Sequence, residues 1–175
     1  MPSLTDVELR KRLDLGRKSV LIIEESSFGL KIVADMCRDF GLNAIFAAKS
    51  LDAGFGQLNT APFALVICDW GRPPLDGPAF ARRVRSSNNE HTKRLPIILM
   101  KAQPTPADVL AAREAGANEF LARPFSAQAL LDRIAVIFSK PREFVAAQTF
   151  NGPDRRRRAP AEHAASRRKA DAAPG

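Results

Sequence analysis

Residues 63–68 form the longest uninterrupted apolar run in the chain, six residues that end at Asp69. A strand that is apolar at every position is typical of a parallel sheet covered by helices on both faces. Crossing a bilayer needs about 18 or more such residues, so this run predicts a buried strand and not a membrane span. The carboxylate that closes the strand is the first candidate for a functional position.

The rest of the chain alternates between short apolar runs and helical patterns. The five predicted strands, β1 to β5, are 20–23, 44–46, 63–68, 96–100 and 119–121, and the five predicted helices, α1 to α5, are 28–40, 51–58, 78–84, 107–114 and 126–138. Strands that alternate with helices in this way favour a parallel sheet with right-handed crossovers. The fold class predicted from the sequence is therefore α/β, a doubly wound (βα)5 sheet.

Charged residues close four of the five predicted strands. Glu24 and Glu25 follow β1, Asp69 follows β3, Lys101 follows β4 and Arg123 lies just after β5. The carboxyl ends of parallel strands meet at one edge of the sheet, where ligands of such folds bind. Three carboxylates that meet there repel one another unless Mg²⁺, a basic side chain or a shifted pKa compensates for their charge.

Five motifs resemble those of bacterial response-regulator receiver domains, the CheY-like family. They are L-I-I-E-E-S at 21–26, V-I-C-D-W-x-x-P-x-L-D-G at 66–77, L-P-I-I-L-M at 95–100, E-A-G-A at 114–117 and R-P-F at 123–125. The resemblance implies a flavodoxin-like sheet of order 2-1-3-4-5. It also implies a signalling domain that at most phosphorylates itself, a histidine kinase as a partner, and a docking face formed by α4, β5 and α5.

The same resemblance gives roles to the residues at the strand ends. Asp69 would be the phosphoacceptor and would bind Mg²⁺ together with Glu24 and Glu25. Phe120 would be the switch aromatic. Lys101 stands where the family has a hydroxyl residue, and Arg123 stands where it has a lysine.

The acidic pair and two further positions depart from the family pattern. Each glutamate is one methylene longer than the usual aspartate, and Mg²⁺ tolerates little departure from octahedral geometry. Lys101 cannot make the small movement of a hydroxyl, and its ammonium group could pair permanently with Asp69. Arg123 replaces a compact donor with a planar fork. Two interpretations follow: phosphorylation of Asp69 is the main switch, or the site is weak and serves as a scaffold.

The net charge of +8 is concentrated at the C-terminus. Residues 151–175 hold seven basic and three acidic side chains, half of the net charge, and lack Leu, Ile, Val, Met and aromatic residues. Such a segment cannot bury enough apolar surface to offset its ordering entropy. The sequence thus predicts an extension at 1–17 with a weak signal for a short helix, a receiver domain at 18–140, and an arginine-rich tail at 141–175, disordered unless a ligand binds.

Residues 151–175 use arginine rather than lysine, six to one. Arginine adds a planar face that stacks on bases and a fork that pairs with phosphate or with guanine, while a nearby carboxylate can accept from the guanine edge. Guanine and phosphate in one small ligand indicate cyclic di-GMP. The layout also resembles CheY-like single-domain regulators that bind cyclic di-GMP through an arginine-rich C-terminal segment and act at the flagellar motor. The predicted ligand-binding residues are Asp154, Arg155, Arg156, Arg157, Arg158, Arg167, Arg168 and Asp171.

Two other functions fit the same features. One is a conventional phosphorylation-gated regulator whose tail only aids docking. The other is an adaptor whose tail binds nucleic acid or anionic lipid, with low base specificity and steep salt dependence. The first twenty residues lack the apolar stretch of a signal peptide, so we expect a cytoplasmic protein, recruited to the flagellar base if the motor is its target.

Overall fold

A computed structural model describes Glu8, Lys11 and residues 13–156. Most of the predicted N-terminal extension lies outside these residues, as do Arg157, Arg158, Arg167, Arg168 and Asp171 of the tail. The last part of the extension packs on the domain, because Leu13 and Leu15 are buried in the core and Leu15–Arg17 forms a 3₁₀ turn. No helix in the described part of the chain is long and apolar enough to cross a membrane.

The central sheet has five parallel strands in the order β2-β1-β3-β4-β5, which confirms the predicted topology. The strands are β1 Ser19–Ile23, β2 Ala44–Ala48, β3 Leu65–Asp69, β4 Ile97–Ala102 and β5 Glu119–Arg123. Asp69 pairs with Met100, and Ala102 pairs with Arg123. This register brings the carboxyl ends of β3, β4 and β5 to one edge.

Helices cover both faces of the sheet. They are α1 Ser27–Asp39, α2 Leu51–Thr60, α3 Gly77–Arg85, α4 Pro106–Glu114 and α5 Ala127–Ser139. The side chains of Ser26, Ser50, Asp76, Thr105 and Ser126 cap their first turns, as the capping preference for these residue types predicts. One more short helix, Glu90–Arg94, occupies a stretch that the sequence predicted as a polar loop, because Asn89 caps it and Thr92 is buried.

Side chains of the sheet alternate between two cores. Val20 and Ile22 point to the core shared with α1 and α5, whereas Leu21 and Ile23 point to the core shared with α2, α3 and α4. β3 is buried at all five positions, as expected for a central strand between two helical layers. Packing on both faces therefore holds β3, and Asp69 at its end, in a fixed position.

The prediction that order ends at residue 140 is wrong for residues 144–153. These form an antiparallel hairpin, β6 Phe144–Ala147 and β7 Phe150–Pro153. The hairpin packs tightly at Gly116, where an added β carbon would lie 2.7 Å from the Asn151 carbonyl oxygen. The composition of 151–175 suggested disorder because that window excluded Phe144, Val145 and Phe150, the apolar residues of the hairpin.

A buried arginine, Arg85, lies between the receiver body and the hairpin. Arg85 is 2% exposed, and burial lowers the pKa of its guanidinium to about 10, so it remains charged at neutral pH. It lies 5.9 Å from the ring centre of Phe144 in β6. It donates hydrogen bonds of 2.8–3.0 Å to the carbonyl oxygens of Lys93, Leu95 and Gly116 and to the side-chain oxygen of Asn118.

Candidate functional site

Glu24 and Asp69 lie side by side at the carboxyl edge of the sheet. Asp69 is the last residue of β3, and Glu24 follows β1 directly, with its backbone N–H bonded to the carbonyl of Ala48 at 3.0 Å. Both residues are buried, at 3% and 8% exposure. The sequence prediction that strand ends bring these carboxylates together therefore holds for this pair.

Arg123 lies between the two carboxylates. Its Nη2 donates to Glu24 Oε2 at 2.6 Å, and its Nε lies 3.4 Å from Asp69 Oδ1. Only 26% of the Arg123 side chain is exposed, compared with 4% for Glu24 and 12% for Asp69. The planar fork that replaces the family's lysine thus reaches both acids at once, which a single ammonium group does less readily.

The pKa of Asp69 is raised above its ordinary value of 3.8. Desolvation is the main cause, the charge of Arg123 acts in the opposite direction, and the carboxylate of Glu24 raises the pKa further. Since both acids share one guanidinium, the pocket depends on Arg123 for its charge balance.

Lys101 does not pair with Asp69, contrary to the interaction considered from the sequence. Its Nζ lies 3.4 Å from Asp108 Oδ1 and 4.1 Å from the ring centre of Trp70. Asp108 is the third residue of α4, and its carboxylate closes a capping box with Thr105. The helix that follows β4 thus supplies a carboxylate partner for Lys101, and Arg123 takes the place beside Asp69.

The side chains as arranged do not fit the predicted magnesium site. Glu25 is exposed, and the guanidinium of Arg123 occupies the space between the other two carboxylates. Among the described residues, no group of three His, Cys, Asp or Glu side chains could hold a metal ion. A hard divalent cation would have to displace Arg123 to bind both Glu24 and Asp69.

The predicted docking face contains a cleft of about 700 Å³. Phe120, the predicted switch aromatic, lies in it half-buried. Five arginines and one acidic residue also line it: Arg113 on α4, Glu119 on β5, Arg133 on α5, and Arg142, Arg155 and Arg156 from the segment after α5.

Two of the predicted ligand-binding residues, Arg155 and Arg156, line this cleft, and Asp154 lies next to them in the chain. Asp154 accepts a hydrogen bond from the backbone N–H of Arg156 at 2.9 Å, which makes a turn at the end of the hairpin. The guanidinium of Arg155 lies 4.0 Å from the ring centre of Phe150, and Arg113 donates to the Arg155 carbonyl at 3.0 Å. Sequence analysis missed Arg113, Arg133 and Arg142, because they lie far apart in the chain and no motif marks them.

Comparisons with known proteins identify the family. The profile of the response regulator receiver domain matches residues 20–135. Chemotaxis protein CheY of Pseudomonas aeruginosa is 28% identical over 121 residues, which cover 69% of this chain and 96% of that protein. Chemotaxis protein CheY-3 of Vibrio cholerae is 27% identical over the same share of this chain and 92% of its own length.

A solved structure gives the same family assignment. A response regulator from Chloroflexus aurantiacus is 30% identical and superposes with a TM-score of 0.64, over 70% of this chain and 98% of that one. The receiver profile ends before the hairpin and the arginine-rich segment begin. The fold, the motifs and these matches together show that the chain belongs to the response regulator receiver family, as a CheY-like receiver domain of two-component signalling.

Proposed function

We propose that this receiver is a cyclic di-GMP effector, which senses its ligand through the arginine-rich C-terminal segment and changes what docks on the α4–β5–α5 face. The observation that carries the proposal is the hairpin. It directs Arg155 and Arg156 to the cleft that contains Phe120. A ligand held by Arg155 and Arg156 would therefore lie beside the docking face.

The residue types favour a guanine nucleotide over a simple polyanion. Four consecutive arginines follow Asp154, and each can stack on a base or pair with phosphate and with guanine O6 and N7. The carboxylate of Asp154 is near the first two, and Asp171 is the second acidic candidate in this role. Cyclic di-GMP offers two guanines and two phosphates to such a set.

The pocket at Asp69 also supports the proposal, because its arrangement does not favour phosphorylation as the input. Arg123 already forms ion pairs with Asp69 and Glu24, so the two carboxylates have a cationic partner without a phosphoryl group or a metal. In a receiver of this kind the input that changes the docking face is the tail ligand. The docking protein we propose is a flagellar motor component or a similar cytoplasmic partner, so ligand would recruit the protein to the flagellar base.

Titration of cyclic di-GMP into the full chain tests the proposal. We expect saturable binding by the natural protein and its loss when residues 155–158 are all changed to glutamine. The matched control changes the same four residues to lysine, which keeps the charge and removes the planar fork. Under the proposal the lysine variant also loses most of its affinity, and GTP competes poorly.

Two results would contradict it. One is no binding of cyclic di-GMP by the natural protein. The other is equal binding by the natural protein and the lysine variant with a steep loss in salt, which would indicate charge alone and would favour nucleic acid or anionic lipid.

Phosphorylation of Asp69 is the second candidate, because Asp69 ends β3 in a chain of the receiver family. Incubation with acetyl phosphate and Mg²⁺, followed by intact-mass measurement, tests it. The cyclic di-GMP proposal expects no phosphoryl mass gain, since Arg123 occupies the pocket. A gain that disappears in Asp69→Asn would establish the phosphorylation switch, with a histidine kinase as partner.

A further inference from the structure

The cleft on the α4–β5–α5 face has an excess of positive charge that the described residues do not balance. Five guanidinium groups line it against the one carboxylate of Glu119. Arg133 and Arg142 share that carboxylate, at 3.3 and 3.0 Å. Clustered like charges repel one another, so the cleft is stabilised by any anion that binds there.

Three of the arginines have no carboxylate partner in the part of the chain that the structure describes. Arg155 stacks on Phe150, Arg113 donates to the carbonyl of Arg155, and Arg156 has no ion pair. Arg113 and Arg133 are exposed on α4 and α5, so their guanidinium groups can turn towards a ligand at little cost. A guanidinium fork pairs with two oxygens of a phosphate.

The size and lining of the cleft suit a nucleotide. Its volume of about 700 Å³ lies in the range of small-molecule sites, about 300–1,000 Å³. Phe120 and Val109 add an apolar surface within the charged rim. Stacking on apolar or aromatic groups combined with pairing of phosphates to arginine is the usual way in which proteins hold nucleotides without a metal.

From these observations we infer that the receiver body supplies part of the ligand site: Arg113 and Arg133 bind a phosphate of the cyclic dinucleotide that Arg155 and Arg156 hold from the tail. This inference rests on the proposed function and adds a location to it. The ligand lies across the cleft, with one side against α4 and α5 and the other against the arginine-rich segment.

The location has a consequence for signalling. A ligand in this cleft covers Phe120 and the groove between α4 and α5, so it alters the docking face by direct contact. The hairpin acts as the support that keeps Arg155 within reach, since Gly116 allows β7 to approach the receiver closely. No movement of the Asp69 pocket is required.

Calorimetric titration of cyclic di-GMP into the full chain tests the inference. The test variant is Arg113→Gln/Arg133→Gln. The control is Arg17→Gln/Arg82→Gln, which makes the same change of net charge at exposed arginines outside the cleft. We expect the test variant to raise Kd by at least about tenfold, as the loss of charge-assisted hydrogen bonds does. The control should raise Kd by no more than about twofold, through long-range charge alone.

Amide chemical shifts give a second readout. Ligand added to the natural protein should shift the amides of residues 113, 120 and 133 and leave those of α1 in place. These shifts should shrink in the test variant at a ligand concentration that saturates the natural protein.

The possible failures can be told apart. If the natural protein binds and the test variant binds as tightly as the control, the tail alone holds the ligand, so the inference is wrong and the proposed function stands. Equal weakening of both variants would also overturn it, because the effect would then be general charge. If the natural protein does not bind cyclic di-GMP, the proposed function and this inference both fail.

Discussion

The pocket around Asp69 and the cleft on the α4–β5–α5 face are both built from arginine and carboxylate side chains, but in opposite proportions. In the pocket two buried carboxylates share one guanidinium, and every charge has a partner within the protein. In the cleft five guanidinium groups lie around one carboxylate, Glu119, which pairs with only two of them. The first site is closed by its own residues, whereas the second has an excess of cations among the described residues, and we propose that an anion binds there.

This difference indicates which site is suited to receive a signal. Binding at the pocket must first break the ion pairs of Arg123 with Asp69 and Glu24, and the loss of these contacts opposes the binding. Binding at the cleft removes repulsion among cations and breaks few contacts. The receiver fold is the same at both places, so the side chains at a few positions decide where an input acts.

The largest effect on stability is expected at Arg85, the buried arginine near Phe144 of the hairpin. Changing Arg85 to methionine leaves the carbonyls of Lys93, Leu95 and Gly116 without their donor, so we expect a loss of about 3–5 kcal/mol in the free energy of unfolding. Hydrogen exchange in 144–153 should accelerate as the hairpin loosens. Chemical denaturation measures the first and amide exchange the second.

Arg94 provides the control for this prediction. It also lies over Phe144, at 5.1 Å, but is exposed and pairs only with Glu90. Arg94→Met should cost about 1 kcal/mol or less. Similar losses in the two variants would mean that burial of Arg85 does not hold the hairpin.

The second prediction tests whether the charge of Arg123 compensates for the carboxylates of Asp69 and Glu24. In Arg123→Gln the cation that lowers the pKa of Asp69 is gone, so its pKa rises further above the ordinary value. A raised pKa means that the folded state binds the proton more tightly than the unfolded chain, so stability falls as pH rises from the unfolded value towards the folded one. We expect a deficit of about 3 kcal/mol at pH 7, the lower end for a broken buried pair because Arg123 is partly exposed.

Urea denaturation between pH 3 and pH 7.5 measures this dependence. The deficit relative to the natural protein should be smallest near pH 3, where Asp69 is protonated in both states. Arg123→Lys keeps a cation and should recover most of the stability. A deficit that is the same at all pH values would show that packing of the arginine matters and its charge does not.

A smaller effect concerns the lysine beside the pocket. Lys101→Met removes the ammonium group from the Trp70 ring, a contact that contributes about 0.5–1 kcal/mol at a partly exposed site. Trp70 is the single tryptophan, so its emission should change directly. Lys93→Met is the control, because Lys93 is about as exposed, at 24% against 23%, and lies away from Trp70. An unchanged emission spectrum in Lys101→Met would contradict the contact.

The smallest expected effect is on the affinity of the cleft for its ligand. Glu119→Gln removes its one carboxylate and frees Arg133 and Arg142, so the excess of positive charge grows by one. We expect cyclic di-GMP to bind about threefold more tightly, the size of one weak surface ion pair. Glu114→Gln, on the same helix as Arg113 but outside the lining, should leave Kd unchanged. Weaker binding by Glu119→Gln would mean that Glu119 itself contacts the ligand.

The parallel sheet and the proximity of Glu24 to Asp69 could be predicted from local patterns, whereas the strand order followed from the resemblance of the motifs to receiver domains. An unbroken apolar run predicts a central strand, and parallel strands deliver their carboxyl ends to one edge whatever the side chains are. The partner of Lys101 could not be predicted in this way. Asp108 becomes its partner only when α4 packs after β4, and the sequence does not say which of two nearby carboxylates lies closer.

The sequence by itself determined the receiver fold, the place of Asp69 and the concentration of arginine at the C-terminus, since each is a property of consecutive residues. Only the tertiary structure decided that Arg123 closes the pocket, that residues 144–153 form a hairpin, and that Arg113 and Arg133 of the receiver body line the same cleft as Arg155 and Arg156. These features depend on distances between residues far apart in the chain, and such distances are set by packing rather than by composition or period.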